Sequence, residues 1–157
     1  MRTAASLLLV AHAAFASNDF GKSFLETNAG KPGVIALPSG LQYKVLRAGG
    51  GDSHPTADSP CECHYEGRTA QEWPAGEKFD SSYDRGSPTT FAPNQVIAGW
   101  TEAMQLMVEG DKWEMYIPSE LGYGESGQGS DIGGGDVLVF TMEILKIKGD
   151  KKPKEEV

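Results

Sequence analysis

The sequence predicts an α+β domain in which an antiparallel sheet wraps around one short helix. Five segments have the alternation or composition of strands, whereas a single segment has helical spacing. The 20 glycines and 9 prolines in 157 residues indicate many turns and short elements. A chain of this length provides one hydrophobic core with short appendages, so we expect a single domain.

The first segment, residues 1–16, is predicted to be a cleaved secretory signal. Arg2 gives it a positive start, an apolar run extends from Leu7 to Ala14, and Ala14-Phe15-Ala16 supplies the small residues that signal peptidase selects. The run is too short for a membrane-spanning helix, which needs about 20 residues. A buried N-terminal helix or strand is the alternative interpretation.

Residues 17–38 are predicted to form a flexible N-terminal arm with at most one helical turn. Gly21, Gly30, Pro32 and Gly33 interrupt a segment whose apolar residues are only weakly periodic. The arm is too short for a dimerisation domain, so we expect a monomer.

The domain itself is predicted over residues 39–149 and begins with three strands. Apolar residues alternate with polar ones over residues 41–45 and again over residues 61–65. Residues 78–82 indicate a third, shorter strand after a polar loop.

The predicted helix follows and is about ten residues long. Trp100, Ala103, Met104 and Met107 fall at i, i+3, i+4 and i+7, and Gly110 stands where the helix would end. These four side chains would face the sheet.

Two further strands complete the pattern. Residues 112–118 alternate, with Trp113, Met115 and Ile117 on one face, and residues 136–148 form the longest predicted strand. A glycine-rich loop over residues 121–135 separates them. The charged residues 150–157 are expected to be a solvated tail.

Charge and cysteine content exclude several functions. The net charge of −8 disfavours binding to nucleic acid or to anionic membranes. Cys61 and Cys63 point to the same face of one strand, where a disulfide between them would strain the backbone. His64 lies nearby but points to the opposite face, so we expect two buried thiols rather than a metal site.

A succession of short motifs narrows the interpretation. In order, they are His64-Tyr65-Glu66-Gly67, Phe79-Asp80-Ser81-Ser82-Tyr83-Asp84-Arg85-Gly86-Ser87-Pro88, Phe91, residues 96–103, residues 116–124, and Leu138-Val139-Phe140. Through them, residues 40–148 resemble the FKBP family of peptidyl-prolyl cis-trans isomerases. The likeness is strongest to the macrophage-infectivity-potentiator-like branch, without its dimerisation domain. Each motif alone is weak, whereas their order is specific.

The resemblance implies a curved sheet of five or six antiparallel strands around one short helix, and catalysis of X-Pro bond rotation during protein folding. That reaction breaks no covalent bond. Its barrier is amide resonance, about 18–20 kcal/mol. An apolar, aromatic pocket favours the twisted amide by removing water from it, and a few donors hold its carbonyls. No metal or cofactor is required.

The resemblance also assigns the site. Trp100 would form the floor beneath the proline ring, Tyr123 would donate its hydroxyl to a peptide carbonyl, and Ile97 would donate its backbone N–H. Asp80 would act as an orienting carboxylate, not a general base, paired with Arg85. The remaining expected pocket residues are Tyr65, Phe79, Phe91, Val96, Ile132 and Phe140. Taken singly, the aromatic residues suit an ordinary core, and Asp80 with Arg85 suits a surface salt bridge.

The sequence departs from the family's best-known members at a position two residues before Phe91 and in the glycine-rich loop. Thr89 stands where they have an aromatic residue, Gln128 where a histidine is common, and Asp131 where an apolar residue often occurs. Gly133-Gly134-Gly135 replaces a proline-containing stretch. The partners implied are proline-containing polypeptides and macrolide inhibitors, and the more polar loop weakens the case for tight macrolide binding.

Two other functions fit the same fold. One is a peptide-binding module that has lost catalysis, but such relatives typically lose the aspartate, the tryptophan or the loop tyrosine, all of which are present here. The other is a holdase chaperone, for which the chain lacks a large apolar insertion. For location, the sequence predicts the secretory route, ending in the endoplasmic reticulum lumen, the periplasm or outside the cell, with a complex plastid as a further alternative.

Overall fold

The computed structural model describes residues 16–154. Its helices are α1 (Asp19–Ala29), α2 (Ser82–Arg85) and α3 (Ala98–Met104), with 3-10 turns at Pro93–Gln95, Ser119–Leu121 and Gly124–Ser126. Its strands are β1 (Val34–Ala36), β2 (Gln42–Arg47), β3 (Ser53–Pro55), β4 (Cys61–Thr69), β5 (Asp80–Ser81), β6 (Thr89–Phe91), β7 (Lys112–Ile117), β8 (Leu138–Ile147) and β9 (Lys151–Pro153). Except for Ala16, the predicted signal lies outside the described residues.

The main sheet confirms the predicted α+β class. Its strand order is β1-β2-β7-β8-β4-β5, with β6 also paired to β4, and every pairing is antiparallel. The described sheet therefore has seven strands rather than five or six, because the short strands β1, β5 and β6 pair at its margins. β8 is ten residues long and pairs with both β4 and β7.

The inner face of the sheet packs on α3 and forms the main core. Cys61, Cys63 and Tyr65 alternate inward along β4, and both thiols are buried and unbonded to each other, which confirms their prediction. Burial raises the pKa of Cys61 to about 11, with a smaller contribution from the charge of Glu109. These thiols are therefore protonated and poorly reactive at neutral pH.

α3 is shorter than the ten residues that the apolar spacing predicts, since it ends at Met104 after seven residues. The chain then turns so that Met107 and Val108 re-enter the core. The Asp111 carboxylate accepts a hydrogen bond from the backbone N–H of Val108 at 3.0 Å, which stabilises a turn in place of another helical one. The helical spacing of apolar residues therefore extends past the end of α3, because this turn keeps Met107 in the core.

The prediction of a flexible arm with at most one helical turn over residues 17–38 is wrong, because α1 and β1 occupy most of it. Asn18 caps α1, since its side chain accepts from the N–H of Gly21 at 2.9 Å. Phe24 of α1 packs on the outer face of the sheet, with its ring 6.2 Å from that of Tyr116. Gly21 is buried close to Val137. This glycine, which in the sequence indicates a break in a helix, therefore allows α1 to pack closely on Val137.

The residues around Phe24 form a second apolar cluster, on the side of the sheet opposite α3. Its buried members are Ala70, Tyr116, Val137 and Val139, with Phe24, Leu25, Val34 and Trp73 packed against them. Trp73 packs edge-on against Phe24 with ring centroids 5.8 Å apart. β7 and β8 are therefore covered on both faces, which explains why they contain few polar residues.

The C-terminal segment also differs from the expected solvated tail. Lys151–Pro153 pairs with Ser53–Pro55 as a two-stranded sheet, and the N–H of Lys154 donates to Asp52 O at 2.8 Å. The side chains of this strand are exposed, which is why its composition resembles that of a tail. Among residues 16–154, no helix combines the length and the apolar character that a bilayer crossing requires.

Candidate active site

A pocket of about 600 Å³ opens between the inner face of the sheet and α3. It is lined by Tyr65, Phe79, Asp80, Phe91, Gln95, Val96, Ile97, Trp100, Tyr123, Gln128, Gly129, Asp131, Ile132 and Phe140. Of the eleven residues that the resemblance assigns to the site, ten line this pocket. The exception is Arg85, which lies behind Asp80.

Trp100 is the centre of the aromatic wall. It lies in the first turn of α3 and is almost completely buried. Three rings approach it edge-on, with centroid distances of 5.0 Å for Tyr65, 5.5 Å for Phe91 and 5.0 Å for Phe140. Such edge-to-face pairs are favourable because the positive edge of one ring meets the negative face of another. The indole is therefore held in one orientation by its neighbours.

A glycine on β4 allows the back wall to form. A Cβ on Gly67 would lie 2.5 Å from Phe140 Cε1 and 2.7 Å from Phe79 Cε1. Both rings therefore occupy space that any other residue at this position would take. Phe79 and Phe140 also contact each other edge-on, at 5.4 Å.

Asp80 lies at the pocket wall in a network of charged and polar groups. Tyr65 Oη donates to Asp80 Oδ2 at 2.5 Å, and Arg85 Nη1 donates to Asp80 Oδ1. Arg85 Nη2 donates to Tyr65 Oη at 3.0 Å and to Thr89 Oγ1 at 3.2 Å. Both carboxylate oxygens therefore have a donor, and Thr89, noted above as a departure from the family pattern, orients the arginine.

α2 is the element that returns Arg85 to Asp80. The predicted third strand is limited to Asp80–Ser81, because the Ser81 side chain accepts from the N–H of Asp84 at 3.1 Å and begins this helix. The Ser82 hydroxyl ties α2 to β4 by accepting from the N–H of Tyr65 at 2.7 Å. One helical turn then places Arg85 beside the carboxylate.

The electrostatics of the network keep Asp80 ionised. Burial acts to raise the pKa of Asp80, but the hydrogen bonds from Tyr65 and Arg85 and the arginine's charge outweigh it, so the pKa lies below its ordinary value of 3.8. Burial, followed by the hydrogen bond to Asp80, raises the pKa of Tyr65 above 10.0. At neutral pH the site therefore presents a carboxylate bound by a neutral phenol and a guanidinium.

We expect Asp80 to titrate below 3.8 in the folded protein, and Arg85→Leu to raise that pKa. Because the folded pKa is the lower one, the network stabilises the fold above the unfolded value, and this contribution is lost as the pH falls through the folded pKa. Carboxyl-carbon NMR across pH 2 to 6 measures both. Lys78→Ala is the control, since Lys78 pairs with Asp84 rather than Asp80. A wild-type value at or above 3.8 would contradict the network.

The glycine-rich segment 121–135, called the pocket loop below, forms the rim and carries Tyr123, Gln128, Gly129, Asp131 and Ile132. Gln128 and Ile132 exchange backbone hydrogen bonds of 2.8 and 3.2 Å, which buries the Ile132 side chain. Tyr123 is 36% exposed and lies at the rim. The apolar floor thus has a polar margin.

Four lining residues are missing from the sequence-based site: Gln128 and Asp131, noted only as departures from the family pattern, and Gln95 and Gly129. Gln95 uses its side-chain oxygen to accept from the N–H of Ala92 at 3.0 Å, which stabilises the 3-10 turn before α3. Its adjacency to Val96 is the only sequence signal that could have identified it. Within residues 16–154, no three His, Cys, Asp or Glu side chains form a potential metal-binding group. The chemistry available in the pocket is desolvation beside one fixed carboxylate.

The family models agree with this geometry. Residues 51–145 match the model described as FKBP-type peptidyl-prolyl cis-trans isomerase. Residues 6–45 match a second model, described as the domain amino terminal to FKBP-type peptidyl-prolyl isomerase.

Similar proteins and structures support the match. The macrophage infectivity potentiator of Trypanosoma cruzi is 46% identical over 139 residues, which are 87% of this chain and 69% of that protein. An outer membrane protein MIP of Legionella longbeachae is 41% identical over 82% of this chain and 53% of its own length. A crystal structure of a peptidyl-prolyl cis-trans isomerase from Pseudomonas syringae has a TM-score of 0.74 and 35% identity, covering 83% of this chain and 92% of that one. The chain spans about half the length of most curated relatives it matches.

Proposed function

The chain belongs to the family of FKBP-type peptidyl-prolyl cis-trans isomerases, and we propose that its pocket accelerates rotation about X-Pro bonds in protein chains. The observation that carries this proposal is the aromatic pocket floored by Trp100 with the bound carboxylate of Asp80 at its wall. Substrates would be proline-containing segments of folding polypeptides.

The proposed mechanism is stabilisation of the twisted amide. In that state the C–N bond loses its double-bond character and the amide becomes less polar, so an apolar environment favours it over the planar amide. The proline ring would sit on Trp100, and the surrounding rings would exclude water from the amide. No proton or electron pair need leave the substrate.

Two donors would hold the substrate's carbonyl groups. The proposed donors are the Tyr123 hydroxyl and the backbone N–H of Ile97, and the support is that both residues line the pocket, Tyr123 at the rim and Ile97 just before α3. Asp80 would orient the twisted amide through its fixed negative charge. Its low pKa and its two donors make it a poor proton acceptor, which supports an electrostatic role rather than general-base catalysis.

The pocket would also accept macrolide inhibitors, though weakly. A macrolide buries apolar surface against the rim, where Gln128 and Asp131 present polar groups instead. The proposed unit of activity is a monomer, because residues 65–140 of the domain supply the floor, the wall and the rim of the pocket.

We place the protein in the secretory route, exported beyond the cytoplasm. The support is the signal-like pattern of residues 1–16 and the name of the Legionella longbeachae relative, an outer membrane protein. Where the route ends, in the endoplasmic reticulum lumen, a complex plastid, the periplasm or outside the cell, is a matter for localisation of the tagged full chain.

The activity is tested by isomerisation of short X-Pro peptides with the chain from residue 17 onward. We expect the cis and trans forms of the peptide to interconvert much faster than in the uncatalysed reaction, which takes about 10–100 s at 25 °C. Two-dimensional exchange NMR measures it without a coupled protease. A folded protein that accelerates none of several X residues would overturn the proposal and favour a proline-peptide binding module.

A further inference from the structure

Two consecutive residues before α1 bind both ends of the pocket loop. The Ser17 hydroxyl accepts from the N–H of Ser119, just before the loop, at 3.0 Å. The N–H of Asn18 donates to Gly135 O, at the loop's other end, at 2.8 Å. The Asn18 side chain also donates to Asp136 Oδ1 at 2.8 Å. The segment therefore ties together two points that the loop separates by more than a dozen residues.

The two residues that Asn18 binds, Gly135 and Asp136, are each hydrogen-bonded to a neighbour of a pocket residue. Asp136, held by Asn18, accepts with its other oxygen from the N–H of Gly133 at 2.8 Å, and Gly133 is adjacent to Ile132. Gly135 donates its N–H to Gly124 O at 2.9 Å, and Gly124 is adjacent to Tyr123. Tyr123 and Ile132 are thus each adjacent to a residue that is hydrogen-bonded to one of the two residues that Asn18 contacts.

The loop has little stiffness of its own, because it is rich in glycine and glycine restricts the backbone least. Its contact with Asn18 is close. Gly135 has φ +75°, and a Cβ there would lie 2.9 Å from the nitrogen of Asn18. External hydrogen bonds must therefore define where the rim lies over the floor.

We propose that Asn18 is a positioning residue for the isomerase pocket, which sets the pocket loop in place through Asp136. This inference rests on the function proposed above. It assigns a role in the active site to the segment before α1, which lies outside the pocket lining.

Asn18 has two tasks that can be separated. Its side-chain oxygen caps α1 by accepting from Gly21, and its side-chain nitrogen donates to Asp136. Aspartate caps helices as well as asparagine does. However, it has no donor for Asp136 and would place a second carboxylate against it. Asn18→Asp therefore keeps the cap and the backbone bond to Gly135, and removes the side-chain bond to Asp136.

The test uses the full chain with Asn18→Asp. We expect kcat/KM to fall about fivefold, as for mutations that disturb coupling between segments, with the thermal unfolding transition and far-UV circular dichroism nearly unchanged. The amide of Gly133 should lose protection against hydrogen exchange, because its acceptor, Asp136, then keeps only the Gln71 amide as a donor to its other oxygen, at 3.1 Å, and faces a second carboxylate. Ser23→Asp is the matched control, because it adds the same charge at an exposed position of α1, away from the loop. It should change neither kcat/KM nor the protection of the Gly133 amide.

The double variant Asn18→Asp/Asp136→Asn exchanges donor and acceptor. The new amide at position 136 can donate to the new carboxylate at 18 while its oxygen still accepts from Gly133. Gln71, which donates to Asp136 Oδ1 in the wild type, would turn its amide so that its oxygen accepts from the new amide. We therefore expect recovery of both rate and protection. Wild-type kinetics in Asn18→Asp, or a loss that the double variant fails to restore in a folded protein, would overturn the inference. If the wild type shows no isomerase activity, the function proposal fails, and the exchange data at Gly133 still decide whether Asn18 holds the loop.

Discussion

Replacement of Asp80 by valine is expected to lower kcat/KM about a hundredfold, within the range for loss of one fixed electrostatic group in an active site. The carboxylate is the sole negative partner of Arg85 and the acceptor of the Tyr65 hydroxyl among the described contacts. Valine would leave the Arg85 guanidinium without its counter-charge beside the substrate's X-Pro amide. It would also remove the acceptor that holds the Tyr65 hydroxyl. Both changes oppose the twisted state.

The fold should survive this substitution, because the Asp80 side chain is 42% exposed. Asp84→Ala is the matched control, since Asp84 is a carboxylate four residues along that pairs with Lys78 and lies outside the pocket lining. Exchange NMR on an X-Pro peptide and urea unfolding would be measured on both. Equal activity of Asp80→Val and Asp84→Ala would show that the carboxylate has no part in catalysis.

The second large effect is expected at the pocket floor. Trp100→Leu should reduce kcat/KM about thirtyfold, because the proposed mechanism seats the proline ring on the indole, and losing it removes on the order of 2 kcal/mol of apolar contact. It should also destabilise the fold by about 2 kcal/mol, less than the complete truncation of a buried tryptophan to alanine. Activity and stability must therefore be separated.

Trp113→Leu separates them. Trp113 is as buried as Trp100, at 4% exposure, but it stacks on Tyr43 at 4.0 Å and does not line the pocket. We expect a similar shift of the urea midpoint and little change in kcat/KM under conditions where both variants are folded. Equal losses of activity in the two variants would mean that the effect at Trp100 is only one of stability.

The pocket could be predicted from sequence because its residues lie on elements with strong local patterns. Tyr65 alternates with polar neighbours on β4, and Trp100 begins the one segment of helical spacing. What assigned these residues to a site was the order of the motifs around them. Alternation alone predicts that an aromatic side chain is buried, but not whether it faces a cavity.

The missed elements depend on contacts that are distant in sequence. α1 contains Gly21, which lowers its helix propensity, and its stability comes from packing on Tyr116 and Val137 more than ninety residues away. β9 has exposed side chains and is held by backbone pairing to β3. No local pattern encodes either contact, so propensity and periodicity could not identify them.

The positions of the three tryptophans make the protein its own fluorescent reporter. Trp100 lies in the pocket, Trp113 lies in the main core, and Trp73 packs between α1 and the outer face of the sheet. Indole emission shifts to longer wavelength when water reaches the ring. With single-tryptophan variants, ligand entry, collapse of the core and detachment of α1 would each have a separate optical signal. Whether α1 leaves the sheet before the core opens could then be followed without any added label.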